Sequence, residues 1–497
     1  MKRFLDIVAH VPHGRVHGSN PTITNITVDS RRTGPGMLFV ARRGSTSDGH
    51  AFIADALARG CSAFLCERLP DDVHITSDIS YAVVDDAHRA LAQASHALYD
   101  FPARDLRMVG VTGTNGKTSC TTIIKQLLEA HGERVGMIGT VGNIIGTETI
   151  PSSFTTPEAP ELCELLARMR AAGCTCVVME VSSHSLALER VHGIVFAAGV
   201  FTNLTQDHLD FHGTMDAYAQ AKKKLFDGLS AEAVAIVWSD DPYAQLMLAD
   251  CHAHAHAVGT REPAWVPAGA SLRYHDVRNV TAGSDGVRYV VDGTMIHAPL
   301  FGAFHVANTA LAWQCMASLG YDTERTASAL ASVHGPPGRM EVIDLGDRTG
   351  IVDYAHTPDA LEKTLRSIRD VLRSGQRLHC VVGCGGDRDR TKRPVMGAIA
   401  CTLSDAAWLT SDNPRTEDAE SILRDMTSSL PSGAVPRVIT DRRAAIRAAV
   451  ASSGAGDVIL VAGKGHEDYQ IIGTEKLPFR DADELRAAVD GSSEMKR

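Results

Sequence analysis

The sequence has no excess of positive charge. It contains 49 lysines and arginines against 59 aspartates and glutamates, a formal net charge of −10 at neutral pH. Proteins that bind nucleic acid usually present a basic face to its phosphates, so the composition argues against such a partner. At 497 residues, with 44 % hydrophobic and 22 % charged residues, the chain has the balance of a soluble globular protein of roughly two to four domains.

Near its start the sequence also lacks an unbroken apolar segment. The apolar stretch that follows Met1 is interrupted by Asp6 and His10. A signal peptide needs a continuous apolar core, and a membrane-spanning helix needs about 20 apolar residues. We therefore expect a cytoplasmic protein that does not insert into a membrane.

Cysteines are present, but their pattern favours neither disulfides nor zinc. The chain has 11 of them, an odd number, and they are scattered. In a reducing compartment such cysteines are mostly core thiols, and no two pairs have zinc-finger spacing. The one local cluster of metal-binding side chains runs from Cys251 to His256, where alternation places three histidines on one face of a strand. We interpret it as a solvated sheet face.

A strand, a glycine turn and a helix follow one another in the middle of the first half of the chain. The apolar run 106–111 predicts a buried strand, and the apolar periodicity after it predicts a helix that ends near Gly132. Backbone N–H groups in such a turn bind phosphate, and the helix N-terminus adds positive potential. The turn reads Gly113, Thr114, Asn115, Gly116, Lys117 and Thr118.

In this turn, Lys117 is expected to reach the terminal phosphates of a nucleotide, and the Thr118 hydroxyl to bind Mg²⁺. The spacing departs from the common phosphate-binding form because position 111 is valine. A tight turn that only resembles a nucleotide site is the alternative.

Alternating strands and helices over the whole chain predict an α/β protein with three domains. One boundary is expected near Phe101 and Pro102, where the pattern is interrupted, and another near Gly335. The predicted domains are a smaller N-terminal α/β domain (1–103), a central domain with a P-loop-type, doubly wound parallel sheet (104–333), and a C-terminal domain with a Rossmann-like sheet (334–497).

Polar residues follow predicted strands of the central domain. Glu180 ends an apolar strand, and His208 follows the next one. Mg²⁺ prefers oxygen ligands but accepts one imidazole, so these side chains are candidate metal ligands. The alternative for His208 is a helix-capping or hydrogen-bonded loop histidine. Three consecutive lysines, 222–224, lie on a predicted helix; by themselves they are equally consistent with a solvated face.

Three polar turns follow strands of the predicted C-terminal sheet, and they can converge on one cleft. They are the basic run 388–393, the turn 412–415 and the turn 463–467. Arginine forks bind carboxylates, while acids and asparagine hold ammonium groups. A zwitterionic amino acid is the predicted ligand.

These motifs, in this order, resemble those of the Mur ligases of peptidoglycan synthesis along nearly the whole chain. Within that family the resemblance is to the enzymes that make UDP-N-acetylmuramoyl-tripeptide. The matching stretches are Asp29–Arg31, Gly113–Thr118, Thr155–Glu158, Glu180–His184, Asn203–Asp210, Tyr218–Phe226, Gly338–Glu341, Asp353–His356, Gly385–Pro394, Asp412–Arg415 and Gly463–Glu467.

The resemblance implies an ATP-dependent ligase that adds a diamino acid to UDP-N-acetylmuramoyl-L-alanyl-D-glutamate through an acyl phosphate. The step belongs to cell-wall synthesis, and hence to cell shape and division. The turn 412–415 resembles that of enzymes using meso-diaminopimelate. L-Lysine and L-ornithine stay open, because Ala419 stands where a proline is usual. Folylpolyglutamate synthase and a non-catalytic ATP-binding switch are further alternatives. The implied partners are small molecules, and the chain is expected to be a monomer.

The resemblance also implies roles for individual residues. A departure lies beside one of them, since Phe304 is followed by His305 where the family commonly has asparagine. Lys117, His208 and Lys222 would be catalytic. ATP would contact Gly113 to Thr118, Asn308, Arg339, Asp353 and His356. The UDP-muramoyl-dipeptide would contact Ser30, Ser45, Thr46, Ser47, Thr155, Thr156, Ser182 and Arg190. The amino acid would contact Arg388, Asp412, Asn413, Pro414, Arg415, Gly463 and Glu467. Mg²⁺ would be held by Thr118, Glu180, His208 and Lys222, the lysine being modified to a carbamate.

Overall fold

A computed structural model describes residues 1–44, 47–70, 76–152, 154–266, 271–283 and 285–494. Ser45 and Thr46, two of the residues predicted to bind the uridine nucleotide, lie outside the described residues. The chain divides into two compact units, Met1–Asp276 with Ala310–Thr326 and Val277–Thr309 with Ala327–Arg497. This grouping cuts the predicted central domain, and the three-domain division stays a prediction. Within the described ranges, no helix has the length and apolarity that crossing a membrane requires.

The first unit begins with a five-stranded sheet in the order β2-β7-β6-β5-β4, which is parallel except for β2. Its strands are short apolar runs between polar turns, and α1 and α3 cover it with buried leucine, isoleucine and alanine side chains. The elements are β1 (Lys2–Arg3), α1 (Phe4–Val8), β2 (Val16–His17), β3 (Thr22–Ile23), β4 (Asn25–Thr27), β5 (Met37–Val40), α2 (Ile53–Ala58), β6 (Ala63–Cys66), β7 (Ser80–Val83) and α3 (Ala87–Leu98).

A larger sheet occupies the rest of the first unit, in the order β11-β10-β9-β12-β8-β13-β14-β15-β16. From β9 to β16 all pairs are parallel, while β10 and β11 add an antiparallel edge. Its elements are β8 (Arg107–Thr112), α4 (Lys117–Ala130), β9 (Val135–Gly139), β10 (Gly142–Ile145), β11 (Glu148–Ile150), α5 (Ala159–Ala171), β12 (Cys176–Glu180), α6 (Ser183–Ala187), β13 (Phe196–Phe201), α7 (Leu209–His212), α8 (Met215–Asp227), β14 (Val234–Trp238), α9 (Ala244–Leu248), β15 (His254–Gly259) and the first part of β16 (Leu272–Gly283).

The second unit contains an antiparallel part, in which the end of β16 pairs with β17 and β17 with β18, and a separate six-stranded sheet. That sheet has the order β19-β20-β24-β21-β22-β23 and is parallel except for β19. The remaining elements are β17 (Gly286–Val291), β18 (Thr294–Ala298), α10 (His305–Ser318), α11 (Thr323–Leu330), β19 (Glu341–Asp344), β20 (Thr349–Asp353), α12 (Pro358–Arg369), β21 (Leu378–Val382), α13 (Lys392–Leu403), β22 (Ala406–Leu409), α14 (Ala419–Thr427), β23 (Arg437–Val438), α15 (Arg442–Ser452), β24 (Val458–Ala462), β25 (Tyr469–Ile472), β26 (Glu475–Pro478) and α16 (Asp481–Glu494). Helices α10 and α11 each have residues in both units.

The fold confirms the predicted class, an α/β protein built on mostly parallel sheets. The apolar face predicted for the helix after the glycine turn is also confirmed, because Ile123, Ile124, Leu127 and Leu128 are fully buried in α4. Parallel sheets covered by helices consist of near-continuous apolar strands, which explains why the strands were readable from the sequence.

The cysteines are free thiols, and ten of the 11 are buried. Burial raises the pKa of those thiols, as at Cys66, whose pKa is raised to about 12. In the histidine cluster, His252 and His254 are exposed and the alanines that follow them are buried. The third histidine, His256, is half-buried, and its Nδ1 lies 2.9 Å from Nε2 of the buried His275. The interpretation as a solvated sheet face therefore fits His252 and His254 but not His256.

Candidate active site

Two glycines shape the turn between β8 and α4. Gly113 has a φ of +146° and Gly116 a φ of +84°, which L side chains rarely adopt. A Cβ atom at Gly113 would also overlap the Thr202 hydroxyl oxygen. That hydroxyl donates to the carbonyl oxygen of Asn115 at 2.6 Å, and the Asn115 N–H donates to the side-chain oxygen of Asn203 at 3.0 Å. The end of β13 thus holds the turn in place at the N-terminus of α4.

Lys117 lies along this turn at the first position of α4. Its Nζ donates to the carbonyl oxygens of Gly113 at 3.0 Å and Thr114 at 2.9 Å. Thr118 follows in the first turn of the helix and is 9 % exposed. The ammonium group and the hydroxyl therefore both belong to the helix end where an anion is stabilised.

Lys222 projects from α8 onto the same turn. It is 1 % exposed, and its Nζ donates to the carbonyl oxygen of Gly113 at 2.7 Å and lies 4.5 Å from the centre of the Tyr218 ring. Burial, reinforced by the nearby Lys117 charge, holds the pKa of Lys222 well below its usual value. The environment of Lys222, beside the turn 113–118, therefore favours the neutral amine over the ammonium form.

The three consecutive lysines do not form a solvated face. Lys223 is 4 % exposed and pairs with Asp227 and Asp250, the second at 2.6 Å. Lys224 is half exposed and pairs with Glu189 at 2.9 Å. The solvated-face alternative is therefore wrong for two of the three lysines, because α8 packs against the sheet on the side that carries them.

Glu180 ends β12 with its side chain buried. Its carboxylate accepts hydrogen bonds from Thr140, at 2.8 Å from the backbone N–H and at 3.3 Å from the hydroxyl. Gly139 leaves room for it, since a Cβ atom there would overlap the carboxylate. Glu180 pairs in register with Val111, so it lies at the same end of the sheet as the phosphate-binding turn. Thr140 is not among the site residues predicted from the sequence.

His208 lies between β13 and α8 with a φ of +52°. Its ring centre is 4.8 Å from that of His184 and 6.1 Å from that of Tyr218. It is the N-cap residue of α7, but its side chain makes no capping hydrogen bond. Its Nε2 lies 3.5 Å from Asp207 Oδ2, so the alternative of a hydrogen-bonded loop histidine stays open. Beside it, burial and then the charge of His184 lower the pKa of His212 to about 4. The His212 ring is therefore neutral at neutral pH.

The donor set predicted for Mg²⁺ fits the ion in part. The Thr118 hydroxyl and the Glu180 carboxylate supply the oxygen atoms that Mg²⁺ prefers, and His208 could add one imidazole. An ammonium group is not a ligand, so Lys222 fits only once it carries a carbamate. Over the described ranges, no group of three histidine, cysteine, aspartate or glutamate side chains has the arrangement of a metal site.

The residues predicted to hold the muramoyl-dipeptide lie together beside Glu180. The Thr156 hydroxyl donates to the Glu180 carbonyl oxygen at 2.8 Å and accepts from the Ser182 N–H at 3.1 Å. The Thr155 and Thr140 hydroxyls are 3.0 Å apart. These contacts join the end of β12 to the segment that precedes α5.

Arg190 completes this group. Its guanidinium donates to the Thr156 carbonyl oxygen at 2.9 Å, pairs with Glu158 at 2.7 Å, and lies 4.8 Å from the Phe154 ring centre. Glu158 also pairs with Arg42, at 3.0 Å. Glu158 belongs to the motif Thr155–Glu158, but no role was predicted for it. Its ion pairs with Arg42 and Arg190 link the end of the small sheet to the end of the large one.

Ser30 and Ser47 follow the neighbouring parallel strands β4 and β5 of the small sheet. Ser30 is buried and begins a turn that Asp29 caps by accepting a hydrogen bond from the Arg31 N–H. Ser47 is exposed, and its carbonyl oxygen accepts from the Gly44 N–H at 2.8 Å. Carboxyl ends of parallel strands meet at one edge of a sheet, so both serines lie at that edge.

The other residues predicted to contact ATP belong to the second unit. Asn308 is buried on α10. The Arg339 guanidinium lies 4.7 Å from the Tyr354 ring centre. The Asp353 carboxylate accepts from backbone N–H groups of residues 340 and 355, and burial raises its pKa. His356 is exposed, and its Nδ1 donates to the Tyr354 carbonyl oxygen at 2.8 Å.

The departure at His305 places a buried imidazole beside this region. His305 is 1 % exposed, and burial lowers its pKa to about 3. It is therefore a neutral ring within the fold at the first position of α10.

A cavity of about 550 Å³ lies at the carboxyl edge of the six-stranded sheet. Strands β20, β24, β21 and β22 are parallel neighbours, so the turns after them meet there. Both positive and negative side chains line it. The lining residues include Arg388, Asp412, Asn413, Arg415, Gly463 and Glu467 from the predicted amino-acid site, along with Tyr354, His356, Lys392 and Tyr469.

The turns in this cavity are fixed by close contacts. Gly463 has a φ of +116°, and a Cβ atom there would lie 2.7 Å from the Asp412 carboxylate. Arg415, with a φ of +53°, donates to the Gly386 carbonyl oxygen at 2.9 Å. Asn413 and Glu467 are joined at 2.9 Å. The structure thus brings residues from three distant turns into one cavity.

Ala419, where the family usually has proline, lies at a position that accommodates either residue. Glu417 pairs with Arg390 and Arg393, each at 2.9 Å, and Asp418 caps α14. Ala419 is the first residue of that helix, a position where proline is favoured but alanine is also well accommodated. The ion pairs next to the cavity do not depend on the missing proline.

Comparisons with known proteins agree with this arrangement. Three family models match the chain in order: Mur ligase family, catalytic domain (residues 22–107), Mur ligase middle domain (111–316) and Mur ligase, glutamate ligase domain (338–465). The chain belongs to the Mur ligase family. This Mur ligase is similar to curated relatives named UDP-N-acetylmuramoyl-L-alanyl-D-glutamate–2,6-diaminopimelate ligase. That of Chlorobaculum tepidum is 45 % identical over 95 % of this chain and 93 % of its own. That of Geobacillus kaustophilus is 42 % identical over 98 % and 99 %.

Solved structures show the same fold. A structure titled as a UDP-N-acetylmuramoyl-L-alanyl-D-glutamate–2,6-diaminopimelate ligase has a TM-score of 0.68 and 32 % identity, and the match covers 95 % of both chains. A folylpolyglutamate synthase from Mycobacterium tuberculosis, complexed with ADP and AMPPCP, has a TM-score of 0.58 and 18 % identity over 76 % of this chain and 92 % of its own. The second likeness concerns the fold alone.

Proposed function

We propose that this Mur ligase uses ATP to join meso-diaminopimelate to UDP-N-acetylmuramoyl-L-alanyl-D-glutamate. The observation that carries the choice of amino acid is the cavity of the second unit. Arg388, Lys392 and Arg415 line it together with Asp389, Asp412 and Glu467. Diaminopimelate has two ammonium and two carboxylate groups, whereas lysine and ornithine have one carboxylate. A cavity lined by three cations and three carboxylates suits a ligand with two groups of each sign.

The first step activates the carboxylate of the muramoyl-dipeptide. A carboxylate is a poor acyl donor because its leaving group would be oxide. One carboxylate oxygen attacks the γ-phosphorus of ATP, the bond to the β–γ bridging oxygen breaks, and an acyl phosphate and ADP form. The glycine turn would hold the phosphates, and Lys117 would turn its Nζ from the carbonyl oxygens it now contacts to the γ-phosphoryl group.

Lys222 is proposed to act as a carbamate. Its neutral Nζ attacks the carbon of CO₂ and loses a proton to solvent, which turns a buried amine into an anion with two oxygens. The lowered pKa and the position beside Gly113 support this. Together with Thr118, Glu180 and His208, the carbamate would hold Mg²⁺, which when bound offsets the charge between the two reacting anions.

The dipeptide would be oriented by the group around Arg190. Its guanidinium is fixed by Glu158, and Thr155, Thr156 and Ser182 lie beside it. Ser30 and Ser47, at the edge of the small sheet, would hold the uridine nucleotide, with Ser45 and Thr46 as further predicted contacts. In the second step the amine of diaminopimelate attacks the acyl carbon, and the tetrahedral intermediate releases phosphate as the amide forms.

The sequence leads us to expect a cytoplasmic protein, and ATP is available there as a co-substrate. The substrates are small molecules, and monomeric behaviour stays our expectation, to be measured by sedimentation. Asn308, Arg339, Asp353 and His356 are proposed ATP contacts on the strength of the family resemblance.

The test is phosphate release that depends on both the UDP-muramoyl-dipeptide and the amino acid. Diaminopimelate, L-lysine and L-ornithine are compared at equal concentrations, and the expected order places diaminopimelate far ahead. Turnover with lysine or ornithine instead would overturn the amino-acid assignment. Turnover only with a folate and glutamate would support the folylpolyglutamate alternative, and ATP binding without amino-acid-dependent turnover would support the switch.

Arg415 offers a sharper test of the amino-acid assignment. Arg415→Met is expected to raise the KM for diaminopimelate by about tenfold or more, since a charge-assisted hydrogen bond to the second carboxylate is lost. The KM for L-lysine should hardly change. The matched control is Arg366→Met, because Arg366 is exposed on α12 and pairs with Glu362 one turn away at 2.8 Å. Equal effects on both amino acids would contradict the assignment.

A further inference from the structure

Lys464 is a fully buried cation at the base of the cavity of about 550 Å³ described above, which we call the amino-acid cavity. It is 0 % exposed and follows Gly463 at the end of β24. Its Nζ donates to the Asn413 side-chain oxygen at 3.1 Å and to Glu467 Oε2 at 2.8 Å. Neither the sequence analysis nor the reaction described above gives it a role.

These three side chains form a closed triangle of hydrogen bonds. The third side runs from Asn413 Nδ2 to Glu467 Oε2 at 2.9 Å. An ammonium group only donates and a carboxylate only accepts, so the amide must present its oxygen to Lys464 and its nitrogen to Glu467. The Ile471 N–H donates to the same amide oxygen at 2.9 Å. Lys464 therefore fixes the orientation of Asn413.

Lys464 also selects one oxygen of Glu467. Both hydrogen bonds that this carboxylate accepts from the part of the chain that is described fall on Oε2. Glu467 lines the cavity, and 17 % of its side chain is exposed, whereas Lys464 is enclosed beneath it. The other oxygen, Oε1, is left for a donor inside the cavity.

A buried lysine is costly to keep, because taking an ammonium group out of water carries a large desolvation penalty. Here the cost is offset by a carboxylate, an amide oxygen and the face of Tyr469, whose ring centre lies 5.4 Å from Nζ. An apolar residue of similar volume would avoid that penalty but would remove one hydrogen bond that holds Glu467 and one that holds Asn413.

We propose that Lys464 is a positioning residue for the incoming amino acid, which fixes Glu467 and Asn413 so that Glu467 Oε1 receives an ammonium group of the substrate. This inference rests on the proposed function, in which Glu467 contacts the amino acid. Lys464 acts through its neighbours and does not touch the substrate.

The test compares Lys464→Met with Lys476→Met. Lys476 Nζ lies 3.6 Å from the centre of the same Tyr469 ring, but Lys476 has no hydrogen bond to Asn413 or Glu467, so its substitution controls for a lost cation. Lys464→Met is expected to raise the KM for diaminopimelate about tenfold, with the KM for ATP and kcat within threefold. An unchanged KM, or a fall in kcat alone, would overturn the proposal.

A double-mutant cycle with Glu467→Gln separates positioning from a merely structural role. If Lys464 acts through Glu467, Lys464→Met should add less than twofold to the KM once Glu467 is already changed. Multiplicative effects of the two substitutions would contradict the proposal. Should the methionine variant not fold, Lys464→Gln is used, with a rise in the KM expected in the same direction and no rise counting against the proposal.

Different results would contradict the proposed amino-acid site and the proposed role of Lys464. If Asp412→Asn and Glu467→Gln leave the KM for diaminopimelate unchanged, the proposed amino-acid site is wrong, and the role of Lys464 falls with it. If those two substitutions raise the KM while Lys464→Met does not, the site stands and only the role of Lys464 is wrong.

Discussion

The phosphate-binding turn and the amino-acid cavity both lie at carboxyl ends of parallel strands, but they are built differently. The turn is one contiguous stretch, residues 113–118, whose backbone groups are proposed to bind phosphate. The cavity is assembled from turns that begin near residues 354, 383, 410 and 463, and charged side chains line it. Backbone N–H groups suit phosphate whatever the sequence around them, whereas a zwitterion needs several charges at fixed separations.

Their buried cations differ as well. Lys222 lies beside the turn with no carboxylate partner in hydrogen-bond reach in the described residues, and burial holds its pKa well below the usual value. Lys464 and Arg442, in the second unit, are equally buried but pair with Glu467 and Asp481, at 2.8 Å and 2.7 Å. An unpaired buried lysine is available for chemistry, while paired cations hold structure.

The strongest test of this contrast is Lys222→Ala. We expect ligation to fall by about a thousandfold or more, because the anion that would hold Mg²⁺ is lost. Short carboxylates added to the variant should partly restore activity by standing in for the carbamate. Amino-acid-dependent phosphate release measures both. The lowered pKa favours the neutral amine that reacts with CO₂, so formation of the carbamate should need a less alkaline pH than at an exposed lysine. Full activity in the unrescued variant would disprove the role.

Arg442→Met tests whether a buried cation with a carboxylate partner stabilises the fold. Arg442 and Asp481 are both fully buried, and Arg442 donates to the carbonyl oxygens of Ser411 at 3.4 Å and Ala462 at 3.0 Å. Removing one partner leaves a buried charge, so the free energy of unfolding should fall by about 3–5 kcal/mol. Urea unfolding measures it. A loss below about 1 kcal/mol would show that the pair contributes little.

Gly463→Ala should have a smaller effect, confined to the cavity. The added Cβ atom would meet the Asp412 carboxylate at 2.7 Å, at a backbone φ that favours glycine. We expect the KM for diaminopimelate to rise about tenfold, equivalent to about 1.4 kcal/mol, with the KM for ATP little changed. Steady-state kinetics with each substrate varied in turn checks this. Gly375→Ala is a matched control, because a Cβ atom there meets nothing within 4 Å.

Lys363→Met is expected to have the smallest effect. Lys363 pairs with Asp359 at 2.7 Å one turn away on α12, and both side chains are more than half exposed. Such pairs are worth about 0.5 kcal/mol or less in the free energy of unfolding. Urea unfolding alongside Arg442→Met would show the difference between exposed and buried pairs. A loss of free energy of unfolding as large as that caused by Arg442→Met would contradict the distinction between exposed and buried ion pairs.

Much of the fold could be read from the sequence because its strands are continuous apolar runs and its helices have one apolar face. The α/β class and the buried face of α4 are confirmed. The lysines at 222–224 could not be resolved, because composition does not say which side of a helix faces the sheet. In the same way Thr140 and Glu158 carry no local signal; each contributes through a partner distant in sequence, Glu180 for the first and Arg42 for the second.

The sequence by itself determined the glycine turn, the family and the order of the motifs, because each depends on neighbouring residues or on their succession along the chain. Only the tertiary structure decided which lysine is buried with no carboxylate partner among the described residues, which oxygen of Glu467 is already occupied, and that four distant turns line one cavity. Those properties arise from parallel strand pairing and from burial, which bring together groups that are far apart along the chain.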